Sequence, residues 1–259
     1  MVALQHHSFS AALALRIVQV GITGLLLIWI FMYLGGLSLS PKMIDEDTND
    51  TFGIFNWHPL LMSLAFIGCM SEAILTYSSP LVHSTDRKLK KYTHAALHAA
   101  ACVLTVCGIV AAIKSHTLKA PTPMPNFYST HSYLGVLTCL MMIGQIVFGV
   151  MAYLYPQWSL GERQAFSSVH TFCGGATLCV GMMTLMVGLQ EKTTFLQLVQ
   201  KPNVRGALMQ IPAFIQVGVA LFTVLVLYQV VFVSKLSQKK TMQFAPILAQ
   251  DAEHEINTM

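Results

Sequence analysis

The chain has 259 residues, 54% of them hydrophobic and only 10% charged, with a net charge of +4. Soluble domains carry about 25% charged residues, so the composition excludes a water-soluble enzyme and points to an integral membrane protein.

A hydrocarbon core of about 30 Å needs about 20 apolar residues per helix, and six runs of that kind are predicted in chain order. The first, 16–37, follows a polar stretch (QHHS) and is long enough to span, so it is expected to stay as a helix and not to be cleaved as a signal peptide. The acidic stretch MIDEDTND at 43–50 separates it from the second run, 57–78. Asn49-Asp50-Thr51 forms a glycosylation sequon there, a three-residue match that chance often supplies. The basic cluster DRKLKK at 86–91 leads into the third run, 93–113, followed by 131–154, 168–189 and 209–233. Period-two alternation is absent and the runs are too long for barrel strands. The expectation is an all-α membrane protein of six transmembrane helices in one domain, 1–240, with a polar, disordered tail at 241–259.

Lys and Arg split nine to six between alternate sides when the N-terminus is cytoplasmic. The densest cluster, 86–91, falls inside and the acidic loop 43–50 outside, which places both termini in the cytoplasm. All six cysteines lie within predicted helices without a Cys-x-x-Cys pair, and read as packing residues and reduced thiols.

Ten histidines are present. His6, His7, His83 and His254 sit in polar tails or loops, where nothing is asked of them. By contrast, His58 opens the second helix, His94 the third, His131 the fourth and His170 the fifth. Consecutive helices run in opposite directions, so His58 and His131 share the outer side while His94 and His170 share the inner one. The sequence separations within the pairs, 73 and 76 residues, are nearly equal. Imidazoles inside a membrane are costly unless something binds them. Structural zinc wants four ligands and catalytic zinc three plus water, whereas haem iron needs only two axial ligands beyond its porphyrin, and histidine is a standard one. Two imidazoles per leaflet therefore match two haems at different depths. His98, one turn beyond His94 on the same face, competes with it as a ligand, and the shallower depth shared with His170 favours His94. H-A-A-L-H lacks the glutamate of a zinc protease H-E-x-x-H. Glu72 lies about 21 Å beyond His58 along the second helix, where a hydrogen bond near the inner haem and a place at the inner interface both stay open.

Five blocks carry a resemblance to a known family: YLGGLSLS, NWHPLLMSLAFIGCMSEAIL, LKKYTHAALH, NFYSTHSYLG and GLQEKTTFLQ, in this order between about residues 11 and 235. They resemble the cytochrome b561 proteins, ascorbate-dependent transmembrane reductases with six helices and two b-type haems. The resemblance implies that helices two to five form a di-haem four-helix bundle, with His58 and His131 on one haem and His94 and His170 on the other. It also implies a cytoplasmic ascorbate donor held at Arg87, Lys91 and Arg163, where basic groups concentrate an anion near the haem edge. On the outer side it implies an acceptor, monodehydroascorbate or a ferric chelate, met by His116, with Asn126 and Tyr128 in the same loop. A homodimer in a plasma membrane or an endomembrane is expected on the same ground, with membrane lipid around it and no nucleic-acid partner.

This chain departs from the family at three places. Tyr133 stands where Trp is frequent, AILTYSSPLV replaces the arginine-rich ALLVYRVFR of many animal members, and Leu34 stands where an Arg often precedes the paired glycines. The rival readings are a membrane di-iron hydroxylase, which needs its histidines on one side, a haem-free proton-coupled transporter using them as a relay, and a structural membrane protein.

Overall fold

The computed structural model describes residues 2–78 and 86–233; His83 and the tail at 241–259 lie outside the described residues. Six helices are long and apolar enough to cross a membrane: α1 (Ala11–Tyr33), α2 (Phe52–Leu75), α3 (Arg87–Thr117), α4 (Thr130–Tyr153), α5 (Leu160–Gln200) and α6 (Ala207–Val231). A two-stranded hairpin, β1 (Lys42–Met43) and β2 (Asn49–Asp50), stands between α1 and α2. Its turn is held by Asp45, whose carboxylate accepts from the Thr48 hydroxyl and from the backbone N–H groups of Asp47 and Thr48. These bonds favour the ionised form and hold the Asp45 pKa below the usual carboxylate value.

The predicted helices are all present, and their ends differ for identifiable reasons. α1 stops at Tyr33, short of the predicted 37, because Gly35 and Gly36 both adopt φ +78°, a conformation that ends a helix and that side-chain-bearing residues rarely take. α3 starts at Arg87, not 93, because the Asp86 carboxylate accepts from the Lys88 N–H and caps the basic turn. α5 has 41 residues against the 22 predicted. A Ser159–Glu162 capping box starts it early, and it runs past the apolar limit through QEKTTFLQLVQ until Lys201 turns left-handed at φ 46°. At about 1.5 Å per residue α5 is roughly 60 Å long, so it projects well beyond the hydrocarbon core.

α2 packs against α3 and α5, α4 against α5, and α1 against α6 at the flank. The outer end of the bundle, taken as the end carrying the hairpin, is tied by the first residues of α2. Asn56 Nδ2 donates to the carbonyls of Leu34 and Gly36, and Trp57 Nε1 donates to Ser38 O. Trp29, fully buried, donates from Nε1 to Leu208 O and so joins α1 to α6. Midway along α2 the backbone widens into a π-helical stretch, Leu64–Met70, with Ser71 Oγ donating to Phe66 O; such stretches shift the face a helix presents. Glu72 resolves as the ion-pair partner of Arg16 on α1. Two charges in an apolar setting are tolerated when they pair.

The sequon asparagine serves the fold. Asn49 is 5% exposed, its Nδ2 donates to Leu118 O, and its Oδ1 accepts from the Ala120 N–H. Lys119 Nζ also donates to Asn49 O. The hairpin is thereby latched to the loop between α3 and α4 that carries Asn126 and Tyr128; His116, expected in that loop, lies in the last turn of α3 just before it, because the helix runs on to Thr117.

Candidate functional site

Four histidines come together in two pairs, one near each end of the α2–α5 bundle. The His58 and His131 ring centres are 5.8 Å apart, and those of His94 and His170 are 6.2 Å apart. On α3 the carbonyl of Gly108, fourteen residues beyond His94, touches His58, so the two pairs lie about 21 Å apart along the helices.

The surroundings repeat. His58 Nδ1 lies 2.9 Å from Gly108 O on α3, and His94 Nδ1 lies 2.8 Å from Ala73 O on α2. The two helices thus exchange one imidazole bond each. His131 Nδ1 lies 3.0 Å from Thr184 O on α5. Close glycines complete the second exchange: a Cβ on Gly188 of α5 would meet the His131 ring at 2.6 Å, and one on Gly149 of α4 would meet the His170 ring at 3.2 Å. The symmetry breaks at His170, whose Nδ1 is buried without a hydrogen-bond partner, as is Oε1 of Gln145 on α4.

These bonds decide protonation. A carbonyl oxygen only accepts, so Nδ1 of His58, His94 and His131 must carry the proton, which leaves Nε2 as the lone pair of each ring. That is the tautomer a metal-ligating histidine takes, with its other nitrogen fixed by a backbone carbonyl. An iron about 2 Å from each nitrogen would hold two ring centres roughly 6 Å apart, close to both observed separations. Among the described residues no group of three or more His, Cys, Asp or Glu side chains is arranged to hold a bare metal ion. Each pair supplies two nitrogen donors, the number that a haem iron takes from its protein.

A cavity of about 460 Å³ opens at the outer pair. His58, His131, His116, Asn126 and Tyr128 all line it. His116 stacks on Phe55, and its Nδ1 donates to Asn126 Oδ1 at 3.0 Å, which leaves its Nε2 free as well. Burial, reinforced by the charge of Glu191, pushes the Tyr128 phenol pKa upward.

At the inner pair the structure brings Lys91 and Arg163 to one residue absent from the sequence reading, Tyr153. Lys91 Nζ donates to Tyr153 O, Tyr153 Oη donates to Arg163 O, and the Tyr153 ring lies 5.6 Å from that of His170. Among the described residues the buried Arg163 Nε has no hydrogen-bond partner, which makes it a donor available to an anion. Arg87 is exposed at the first turn of α3. Tyr77 and Phe166 add rings 5.7 Å from His94 and 5.8 Å from His170. His98 packs edge-on to His94, ring centres 4.6 Å apart.

The sequence profile of eukaryotic cytochrome b561 matches residues 57–196, the segment that carries all four histidines. The chain belongs to the cytochrome b561 family. It is 35% identical over 192 residues to transmembrane ascorbate ferrireductase 2 of Arabidopsis thaliana, a match covering 74% of this chain and 78% of that protein. A plasma membrane ascorbate-dependent reductase of Xenopus laevis is 35% identical over 141 residues, 54% of this chain and 49% of the relative, so the chain spans about half of that protein's length. A human lysosomal membrane ascorbate-dependent ferrireductase is 34% identical over 147 residues, 57% of this chain and 60% of the relative. Membership in the cytochrome b561 family implies haem b, and the fixed tautomers and paired rings described above fit that group.

Proposed function

We propose that this cytochrome b561 protein is a transmembrane one-electron oxidoreductase that takes electrons from cytoplasmic ascorbate and delivers them to an acceptor across the membrane. The acceptor is a ferric chelate or monodehydroascorbate. Both chain termini face the cytoplasm, in a plasma membrane or an endomembrane. His94 and His170 hold an inner haem b, and His58 and His131 hold an outer one. The observation that carries this reading is the two imidazole pairs, about 21 Å apart, with three of the four rings fixed by carbonyls so that Nε2 is free. Haem b, when bound, supplies a one-electron ferric–ferrous couple, and two axial imidazoles leave no open position for oxygen.

The residues of the chain do the rest. Arg87, Lys91 and Arg163 collect the ascorbate anion at the inner end, and the unpartnered Nε of Arg163 supplies a charge-assisted bond. Ascorbate gives up one electron and one proton, becoming monodehydroascorbate. At the outer end His116, Asn126 and Tyr128 receive the acceptor, with His116 Nε2 open to a ferric ion or a proton. A haem-free proton relay would need its imidazoles to exchange tautomers freely, and the carbonyl bonds oppose that.

Liposomes containing the purified protein, with ascorbate trapped inside and a ferric chelate plus a ferrous indicator outside, test this reading. Ferrous iron should form outside at a protein-dependent rate that His58→Ala and His170→Ala each abolish. A rate equal to that of protein-free liposomes would refute it.

A further inference from the structure

Lys192 is a cation that the reading above does not use. It lies on α5 one turn beyond Gly188, the glycine against His131, and only 8% of it is exposed. Its Nζ stands 4.1 Å from the ring centre of Phe52, 4.5 Å from that of Phe55 and 5.9 Å from that of Phe195. Among the described residues no carboxylate comes within ion-pair range of its Nζ, and no hydrogen bond from it is formed. The adjacent carboxylate, Glu191, accepts from Ser129 Oγ at 2.8 Å. Asp50 attracts Lys192 only at longer range.

Three phenyl faces offset part of the cost of burying an ammonium. They cannot satisfy its three N–H donors, which need oxygen acceptors. Lys192 lines the outer cavity together with His58, His131, His116 and Tyr128. Among the described lining residues it is the one Lys or Arg.

We propose that Lys192, caged by Phe52, Phe55 and Phe195, is the anion seat of the outer cavity, binding a carboxylate or other delocalised oxyanion through charge-assisted hydrogen bonds. The proposal rests on reading that cavity as the outer redox site. Two sources present this chemistry there: a propionate of the outer haem, and an anionic electron acceptor.

Lys192→Met removes the charge at similar volume, and trading a buried charge for an apolar group is not expected to unfold the chain. Lys192→Gln provides a second neutral variant should the first fail to accumulate, and Lys192→Arg keeps the charge. Two measurements on the haem-loaded protein in nanodiscs separate the sources. One is a redox titration. The other is the reoxidation of ascorbate-reduced protein by anionic ferricyanide and by cationic cobalt(III) tris-phenanthroline.

If the seat holds a propionate, the neutral variants lower the outer midpoint potential, because a lost cation favours the oxidised form, and half-saturation by either acceptor is unchanged. If it holds the acceptor, half-saturation by ferricyanide rises about tenfold or more, the worth of one charge-assisted bond, while the cobalt complex is unaffected. Lys192→Arg should restore most of either effect. Neutral variants with wild-type potentials and wild-type half-saturation would overturn the inference alone. Wild-type protein without haem would overturn both it and the functional reading.

Discussion

Gly188 is where one added carbon has the most legible consequence. A Cβ at this position would lie 2.6 Å from Cε1, 2.8 Å from Nδ1 and 3.2 Å from Nε2 of His131. Carbon atoms rest about 3.5–4.0 Å apart, so Gly188→Ala demands a retreat of roughly 1 Å by the ring or by α5. The ring has little freedom, since its Nδ1 is bound to Thr184 O on the same helix. Metal–ligand distances tolerate about 0.2 Å, so a shift of this size removes His131 as an axial ligand. Gly149→Ala is the matched control, because its Cβ would meet the His170 ring at 3.2 Å and asks for only a few tenths of an ångström, which this ring can give by turning about its own axis since no carbonyl holds its Nδ1. The assay is the reduced-minus-oxidised visible spectrum, normalised per chain. Gly188→Ala should lose about half the signal, and Gly149→Ala should keep nearly all of it. Equal haem content in Gly188→Ala and wild type would refute the ligand geometry.

Other outcomes follow from the same contacts. His94→Ala should lose the inner haem while His98→Ala keeps it, read from the same spectra; the reverse would exchange their roles. Replacing Glu72 alone by Gln removes the carboxylate of a part-buried pair with Arg16, which destabilises the chain by less than the loss of one partner of a fully buried pair. The thermal midpoint of the haem band should fall for Glu72→Gln and recover in a double variant that makes both positions apolar. Arg163→Leu should raise the half-saturating ascorbate concentration without changing haem content. Asn49 Nδ2 is committed to Leu118 O, so glycosidase treatment of the cell-expressed protein should leave its mobility on gels unchanged.

The four histidines were readable because the membrane makes polar residues conspicuous, and helix direction then sorts them by depth. Their carbonyl partners were not readable, because Gly108, Ala73 and Thr184 contribute backbone oxygens that leave no trace in residue type. His94 and His98 pack ring against ring, and His94 also lies 6.2 Å from His170 and holds a carbonyl bond, contacts that residue type alone does not reveal. The extent of α5 was missed because apolar character ends near residue 189 while the helix does not, there being no breaker before Lys201-Pro202. Lys192 escaped for the same reason. A charge spaced four residues from a glycine that abuts His131 was the available signal, hidden in a stretch read as loop. Tyr153 stands at the end of α4, where interfacial aromatics are common, and only the fold shows that it joins Lys91 to Arg163.

Haem per polypeptide, counted by pyridine haemochrome on the purified wild-type protein, tests the central claim most directly. Two imidazole pairs at separate depths predict two haem b per chain, both reduced by ascorbate. A count of one or none would contradict the paired-ligand account.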